Sequence, residues 1–416
     1  MTSRHAVVSG ASIAGLSAAF WLRRTGWEVT VIERAPSFRD GGQNVDVRGV
    51  AREVLTRMGL FDAVKAQNTT ETGTVLVDES GDVRAELPSD GPDGATAELE
   101  VLRGDFARTI LDHLPEGVDL RYGETIDGVD DRTVTPSTGD AVTASTGADL
   151  FVTTSTGHTL HADLLVIAEG VRSTTRDRLF GDEVERNELG ITMVFGTIPR
   201  TPSDDDRWRW YNTVGGRQIH LRPDNHGTTR AILSYARGAD LTSLDRAEAL
   251  AEVRKRYADA GWEAPRVLDG FDTSDDVYID HLTQIRMKTW HRGRVVLAGD
   301  AAWCVTPMGG GGASLALTSG YVLAAYLAQQ PRDMESALIA HEKWMRPLVD
   351  DVQKLPPGIE RFAYPQTRLG LTLRSLADKA MTSSLFAPLT AKLTQVADTD
   401  QQLPEIEPAE SPADPD

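Results

Sequence analysis

Apolar positions near the start of the chain fall into short and long runs. HAVVS, His5 to Ser9, is a short apolar run, and ASIAGLSAAFWLRRTG is a longer one closed by Gly26. WEVTVIER is a second short run ending on Glu33. The short runs predict buried strands and the Ala/Leu-rich run between them predicts a helix, the first βαβ unit of a doubly wound sheet. From Gly73 to Glu100 and from Leu189 to Asp280 the pattern changes to strict alternation between turn residues, as in RWRWYNTV. RQIHLRPDNHGTTRAILSY reads as a hairpin with Asp224, Asn225, His226 and Gly227 at its tip. These two segments are expected to pair into one mostly antiparallel sheet. The Thr/Ser/Gly-rich stretch from Asp131 to Thr156 predicts an extended surface hairpin, and a helical segment is expected from about Thr367 to Ala397, after Pro356 and Pro357.

The turn in the first βαβ unit has the form G-x-x-x-x-G, with Ser12 where the middle glycine of a dinucleotide fingerprint usually stands. Gly10 makes the tight turn out of the strand, and Gly15 lets the helix pack closely on the sheet. The helix N-terminus, with Ile13 and Ala14 in its first turn, presents unpaired N–H groups and a positive dipole end to a phosphate. Ser12 is small enough to keep the backbone near a pyrophosphate, and its hydroxyl can donate. Glu33 sits near the ~20-residue offset at which a carboxylate accepts from a ribose hydroxyl. An acid there favours FAD or NAD over NADP, and the loop alone does not choose between those two. The same apolar run after Arg4 superficially resembles a secretion signal, but it lacks a small-residue cleavage site and meets Arg23 and Arg24 where cleavage should fall.

Composition narrows the partners. With 416 residues, 40% hydrophobic and 25% charged, the chain reads as a globular protein of two or three domains or one composite one. A formal net charge of -19 argues against nucleic acid or an anionic membrane surface, so an anionic cofactor must be held by local donors. One cysteine, Cys304, excludes an internal disulfide and a Cys-based zinc site, and the nine histidines show no metal-ligand spacing. His158 and His161 are expected at the surface. No transmembrane span is expected, and the cysteine usage fits a cytoplasmic location. There is no nucleophile elbow, no paired-carboxylate motif and no second nucleotide-binding βαβ unit.

Two later segments, DLLVIAEGVRSTTRDRLF from Asp163 and GRVVLAGDAAWCVTPMGGGGASLALTSGYVLAAYL from Gly293, change the picture. VVLAGD is a buried strand that brings Asp300 to its carboxyl end, where ligands gather. The four glycines Gly309 to Gly312 let a flat ring lie on bare backbone, and a helix starting near Ala313 points its dipole at that ring. With the opening loop, these segments resemble the group A FAD-dependent monooxygenases of para-hydroxybenzoate hydroxylase-like fold, nearest the aromatic-polyketide hydroxylases and tetracycline-inactivating oxygenases. The resemblance covers roughly the first 345 residues.

It implies an α/β fold: a Rossmann-like FAD-binding domain with an inserted, mostly antiparallel β-sheet substrate domain and a C-terminal bracing helix. The expected FAD-binding domain comprises residues 1–72, 101–180 and 281–345, and the substrate domain 73–100 and 181–280. Residues 346–400 form the C-terminal helical segment, and 401–416 an acidic, disordered tail. The implied FAD-binding residues are Gly10, Ser12, Ile13, Ala14, Gly15, Glu33, Arg34 by the adenine, Arg103 at the pyrophosphate or ribityl chain, Glu169, Asp300, Pro307, Gly310, Gly312, Ala313 and Ser314. The stretch Gly41 to Asp46 resembles the one that passes the isoalloxazine, with Asp46 a polar wall of the substrate pocket. Phe195, Trp210, Ile219, Leu221 and Tyr235 are the other candidate pocket residues.

Four positions depart from the pattern: Ser12, Glu169 for the usual Asp, Trp303 for His and Ser314 for Asn. They put nicotinamide use in question, with Arg172 and Arg176 as donors for that passing cofactor. The implied reaction uses NAD(P)H and O2 to oxygenate a polycyclic or polyketide-type natural product through a flavin C4a-hydroperoxide, in a monomer or weak dimer. No catalytic side chain is required. The other reading is a non-redox natural-product cyclase that keeps FAD on the same fold.

Overall fold

The computed structural model describes residues 4–87, 99–131, 150–356, 358–381, 399 and 401–406. Four sheets organise the chain. The first has six strands in the order His291–Arg292, Val295–Leu297, Leu164–Ile167, His5–Ser9, Glu28–Glu33 and Val118–Tyr122, all parallel except the first. Val8 lies opposite both Val166 and Val31, and the central strands are buried almost throughout because helices cover both faces. The helices Ile13–Arg24 and Gly312–Gln329 cross closely on this sheet. A Cβ on Gly320 would stand 2.5 Å from Ala18 N, and Ser17 Oγ donates to Leu317 O at 2.6 Å.

The second large sheet has seven strands in the order Tyr278–Met287, Val184–Pro199, Thr228–Ala236, Arg217–Pro223, Trp208–Thr213, Thr74–Val77 and Val83–Leu87. It is antiparallel apart from one parallel junction between Thr74–Val77 and Trp208–Thr213. Strand alternation splits its side chains into two layers. Val75, Val194, Ile219, Leu221, Leu233 and Tyr235 pack on Val253, Tyr257, Val267 and Phe271 from the helices Arg246–Tyr257 and Ala264–Thr273. Ile191, Met193, Phe195, Ile232 and Leu282 occupy the other face, which meets Met308, Ala363 and Tyr364.

Two small sheets complete the frame. Asn44–Asp46 pairs antiparallel with Glu100–Leu102, setting Asp46 opposite Glu100. Ile126–Asp131, Leu150–Thr154 and Thr159–Ala162 form a three-stranded sheet whose connection, residues 132–149 of the expected surface hairpin, lies outside the described residues. The hairpin tip at 224–227 is docked, not free. Asp224 is buried and accepts from His226 N, Thr228 N and Arg230 Nε, while Asn225 and His226 bond Asp105. The tip therefore ties the seven-stranded sheet to the helix Arg103–Asp112.

After the helix Met334–Val352 the chain crosses the sheet as a strap. Gly215 N and Gly216 N donate to Gln366 O and Pro365 O, and Gln218 Nε2 donates to Ala363 O. The helix Arg368–Met381 follows; the rest of the expected helix, 382–398, lies outside the described residues. Residues 401–406 correct the expectation of a disordered tail. Leu403 is buried, Gln402 O accepts from Trp344 Nε1, and Pro404 O accepts from Tyr321. One apolar side chain and bonded carbonyls outweigh the acidic composition there; residues 407–416 lie outside the described residues. Among the described residues no helix is long and apolar enough to cross a membrane.

Candidate functional site

The first turn is built by backbone proximity. Gly10 has φ +107°, and a Cβ there would meet Ala168 O at 2.4 Å; one on Gly15 would meet Gly10 O at 1.9 Å. Only glycine lets strand, loop and helix approach this closely. Ser12 stands at the N-cap of the helix, ahead of Ile13, Ala14 and Gly15, and its hydroxyl makes no cap bond. Glu33 reaches the loop from the end of its strand, accepting from Ala11 N and from Ala35 N at 2.9 Å each. Its carboxylate is thereby fixed at the rim of the turn. Arg34, the next residue, is exposed.

Asp300 and Arg103 face each other across the cleft beyond this turn. Asp300 begins a short helix just after the strand Val295–Leu297 and is open to the cleft, yet protein surrounds it. Burial raises its pKa, Asp280 adds to the rise, and the Arg103 guanidinium opposes it. Arg103 Nε is buried with no hydrogen-bond partner. Gly42 makes room for it, since a Cβ on Gly42 would stand 2.9 Å from that nitrogen. A buried cationic donor without an acceptor, opposite a carboxylate and beside a helix N-terminus, suits a ligand that is anionic at one end and hydroxylated along its chain. A dinucleotide has that chemistry, so the residues present fit FAD.

The glycine run divides its work. Gly309 is needed for packing, because a Cβ would meet Val352 O at 2.6 Å. Gly310 and Gly311 take φ of +68° and +65°, and Gly312 and Ala313 open the long helix. Thr306 also sits at φ +65°, unusual for a branched residue, next to the exposed Pro307. Ser314 does not offer its hydroxyl to a ligand. Its Oγ donates to Asp46 O at 3.1 Å and accepts from Arg48 N at 3.0 Å, bracing the 44–48 stretch against the helix. Asp46 in turn pairs with Arg48 at 3.1 Å.

Several sequence-derived assignments need correction. Glu169 is committed to its own chain: Ser9 Oγ, Ser173 Oγ, Thr175 N and Thr175 Oγ1 all donate to it. The longer side chain reaches the next helix instead of a cofactor. Arg176 is fully buried and bonded to Ala301 O, Val171 O and Asp177. Arg172 stays exposed, with its charge acting on Asp280 and Asp240. Trp303 is core, against Trp290 at 4.3 Å between ring centroids. Ile219, Leu221 and Tyr235 face the two covering helices, on the side of the sheet away from Phe195. Phe195 and Trp210 stand on the opposite face, because register places Phe195 across from Ile232, and Trp210 across from His220.

That face holds residues the sequence did not single out. Phe195 stacks on Tyr278 at 4.7 Å and 11°, and the Tyr278 hydroxyl bonds Gln43 Oε1. Burial pushes the Tyr278 phenol up. Gln43, Asn44, Phe195, Ile232 and Tyr278 line a narrow crevice between the seven-stranded sheet and the 42–44 stretch. Trp208 donates to His220 Nδ1, so His220 carries its proton on Nε2 and donates to Gln218; burial keeps this ring neutral, with a pKa of about 3. A wider cavity of about 690 Å³ opens under the strap between Leu189, Arg237, Phe362, Tyr364, Leu373 and Arg374. Strand parity could have sorted the two faces, but which face meets the cleft depends on where the covering helices and the strap return.

Comparison with known proteins agrees with this geometry. The FAD binding domain family matches residues 4–342. The flavin-dependent monooxygenase eupH of Phoma sp is 32% identical over 412 residues, covering 92% of this chain and 94% of that protein. The crystal structure of the tetracycline destructase Tet(51) matches at TM-score 0.75 and 25% identity, over 94% of this chain and 95% of that one. Klebsiella pneumoniae HpxO, solved with FAD and uric acid, matches at TM-score 0.73 over 94% and 96% of the two chains; at 21% identity it speaks for the fold alone. Fold and site together define a flavoprotein. The chain belongs to the FAD binding domain family of flavin-dependent monooxygenases, and it is an oxidoreductase whose cofactor is FAD.

Proposed function

We propose that the protein uses NAD(P)H and O2 to oxygenate an electron-rich polycyclic aromatic or enolic compound of the polyketide type. The observation that carries this is the cradle that fits a dinucleotide, with Arg103 Nε buried and unbonded opposite Asp300, in a chain of the flavin-dependent monooxygenase family. The aromatic pair of Phe195 and Tyr278 suits contact with a flat apolar ring, and the neighbouring amides of Gln43 and Asn44 suit its hydroxyl or carbonyl groups. Bound FAD supplies the redox chemistry, passing electrons from the nicotinamide to O2 and an oxygen atom to the substrate. The chain's own part is to seat the cofactor through Ser12, Glu33, Arg103 and Asp300, hold the substrate ring against Phe195 and Tyr278, and keep water out. The likeness to a tetracycline destructase supports a polycyclic substrate.

The test is anaerobic reduction of the holoenzyme by NADH and by NADPH, with and without hydroxylated anthraquinones, followed by turnover in labelled oxygen. Faster flavin bleaching with the ligand and one labelled oxygen atom in the product are expected. No bleaching by either nicotinamide, with ring closure of a polyene-type ligand and no oxygen incorporated, would instead favour the non-redox cyclase.

A further inference from the structure

The two arginines expected to meet a passing nicotinamide dinucleotide are already engaged. Arg176 is buried and spends its guanidinium on Ala301 O, Val171 O and Asp177. Arg172 is exposed, and its charge is answered by Asp280 and Asp240. A ligand carrying a pyrophosphate therefore needs other cations, in a chain whose net charge of -19 repels it. The cavity under the strap supplies them. Its volume of about 690 Å³ lies within the range of about 300–1,000 Å³ typical of small-molecule sites.

Arg237 and Arg361 stand on the wall of this cavity. Both are exposed, and their side chains make no hydrogen bond or ion pair among the described residues. Arg374, also on the wall, is spent on Asp378 at 2.7 Å and Phe362 O at 3.0 Å. Arg237 directly follows the strand Thr228–Ala236 and has φ +60°, a left-handed conformation unfavourable for a residue with a Cβ. Its backbone N–H donates to Gly190 O at 2.8 Å, which fixes it against the neighbouring strand. Apolar groups share the wall. Phe362 is 41% and Leu373 59% exposed, open surfaces for a flat ring, while Tyr364 is pinned by its bond to Ser234 Oγ at 3.2 Å. Leu189, another lining residue, packs on the same apolar layer as Met308, so the cavity borders the segment that leads into the glycine run. Two exposed carboxylates, Glu188 and Glu360, also line it.

We propose that this cavity is the docking site of the nicotinamide dinucleotide, with NADH preferred over NADPH. Arg237 and Arg361 take the pyrophosphate, whose oxygens match the planar fork of a guanidinium. Phe362 and Leu373 cover a ring of the dinucleotide. Glu188 and Glu360 accept from ribose hydroxyls and repel the 2′-phosphate that distinguishes NADPH. Cations and carboxylates balance on the wall, so the site selects charges by their position and does not draw in any anion. Docking here needs no second nucleotide-binding βαβ unit. This inference rests on the nicotinamide use proposed above.

Two readouts on the FAD-loaded enzyme, kept free of oxygen, test it. One is equilibrium dialysis of ADP-ribose, which carries the pyrophosphate and riboses but no hydride. The other is the rate of flavin bleaching against NADH and NADPH concentration. Arg361→Ala changes an exposed position, and Arg237→Gly removes the second guanidinium while accepting the left-handed backbone. Each should weaken ADP-ribose, and raise the NADH concentration for half-maximal bleaching, about tenfold or more, with FAD affinity unchanged. The wild type should saturate at lower NADH than NADPH, and Glu188→Gln combined with Glu360→Gln should narrow that difference. No ADP-ribose binding by the wild type, or affinity within about twofold of it in both arginine variants, overturns the site. A hydroxyanthraquinone that competes with ADP-ribose overturns it too and reassigns the cavity to the polycyclic substrate. A wild-type preference for NADPH overturns the role of the carboxylates. Arginine-dependent ADP-ribose binding with no bleaching by either nucleotide supports the docking site and overturns nicotinamide use by the flavin instead.

Discussion

Removing the Arg103 guanidinium should separate the cofactor's contribution from the fold's. In the free protein Arg103 Nε is a buried donor with no acceptor, so its desolvation is uncompensated at a cost of about 1–3 kcal/mol. An FAD pyrophosphate or ribityl oxygen placed there gains a charge-assisted bond of about 1.5–3 kcal/mol. Arg103→Ala should then weaken FAD binding about 10- to 150-fold, at about 1.4 kcal/mol per factor of ten. The same change should leave the flavin-free protein as stable as the wild type or more so, since it deletes an unpaired donor. Flavin fluorescence quenching on titration of the stripped protein measures the first quantity, and thermal melts with and without FAD measure the second. Arg103→Lys should recover only part of the affinity, because an ammonium lacks the planar fork. Gly42→Ala should weaken FAD through displacement of Arg103, and its effect should vanish in the Arg103→Ala background. Affinity within about twofold of the wild type, or equal destabilisation of free and loaded protein, would refute the reasoning.

Other consequences follow from the same geometry. Leu221→Ala should cost about 2–5 kcal/mol in urea unfolding with ligand affinity unchanged, whereas Phe195→Ala should raise the substrate KM, because the two residues face opposite sides of one sheet. Burial holds His220 at about 3 and His341 at about 4, both below the 6.5 of the unfolded chain. The unfolded state therefore takes up protons that the native state refuses, and stability should fall as pH drops from 6.5 towards 4; denaturation curves at pH 7 and 5 measure this, and His341→Gln should flatten the difference. His291, raised chiefly by its bond to Glu342, acts in the opposite sense, stabilising below 6.5 and losing that contribution as pH rises through its folded value. Deleting residues 401–416 should remove about 1.5–3 kcal/mol from the burial of Leu403 and lower the melting temperature without altering FAD affinity.

The local geometry of the glycine turns was legible because it is encoded in contiguous residues. Gly10, Ser12 and Gly15 lie within one turn, and Glu33 follows at the end of the very next strand. Asp300 and the glycines from Gly309 likewise sit on one short segment. Such features depend on backbone reach and φ, which neighbouring residues determine. Some losses were local too. Glu169 looks like a ligand carboxylate by position, but a side chain one methylene longer meets Ser173 and Thr175 on the following helix. Ser314 reads as a helix-start donor, but the 46–48 stretch returns onto it from far away in sequence.

The sequence by itself determined which segments are strands, which turn needs glycine, and that a dinucleotide is held against an unfavourable net charge. Alternation also determined that Ile219 and His220 point in opposite directions. Only the tertiary structure decided which direction is the cleft, since that depends on two covering helices and a strap that arrive later in the chain. It alone assembled Glu71, Glu100 and Arg222, whose partners are 151 and 122 residues apart. A buried charge is tolerated only where a counter-charge is delivered by packing. No local pattern records such a meeting, because the energy that holds it exists only after both sheets have closed on each other.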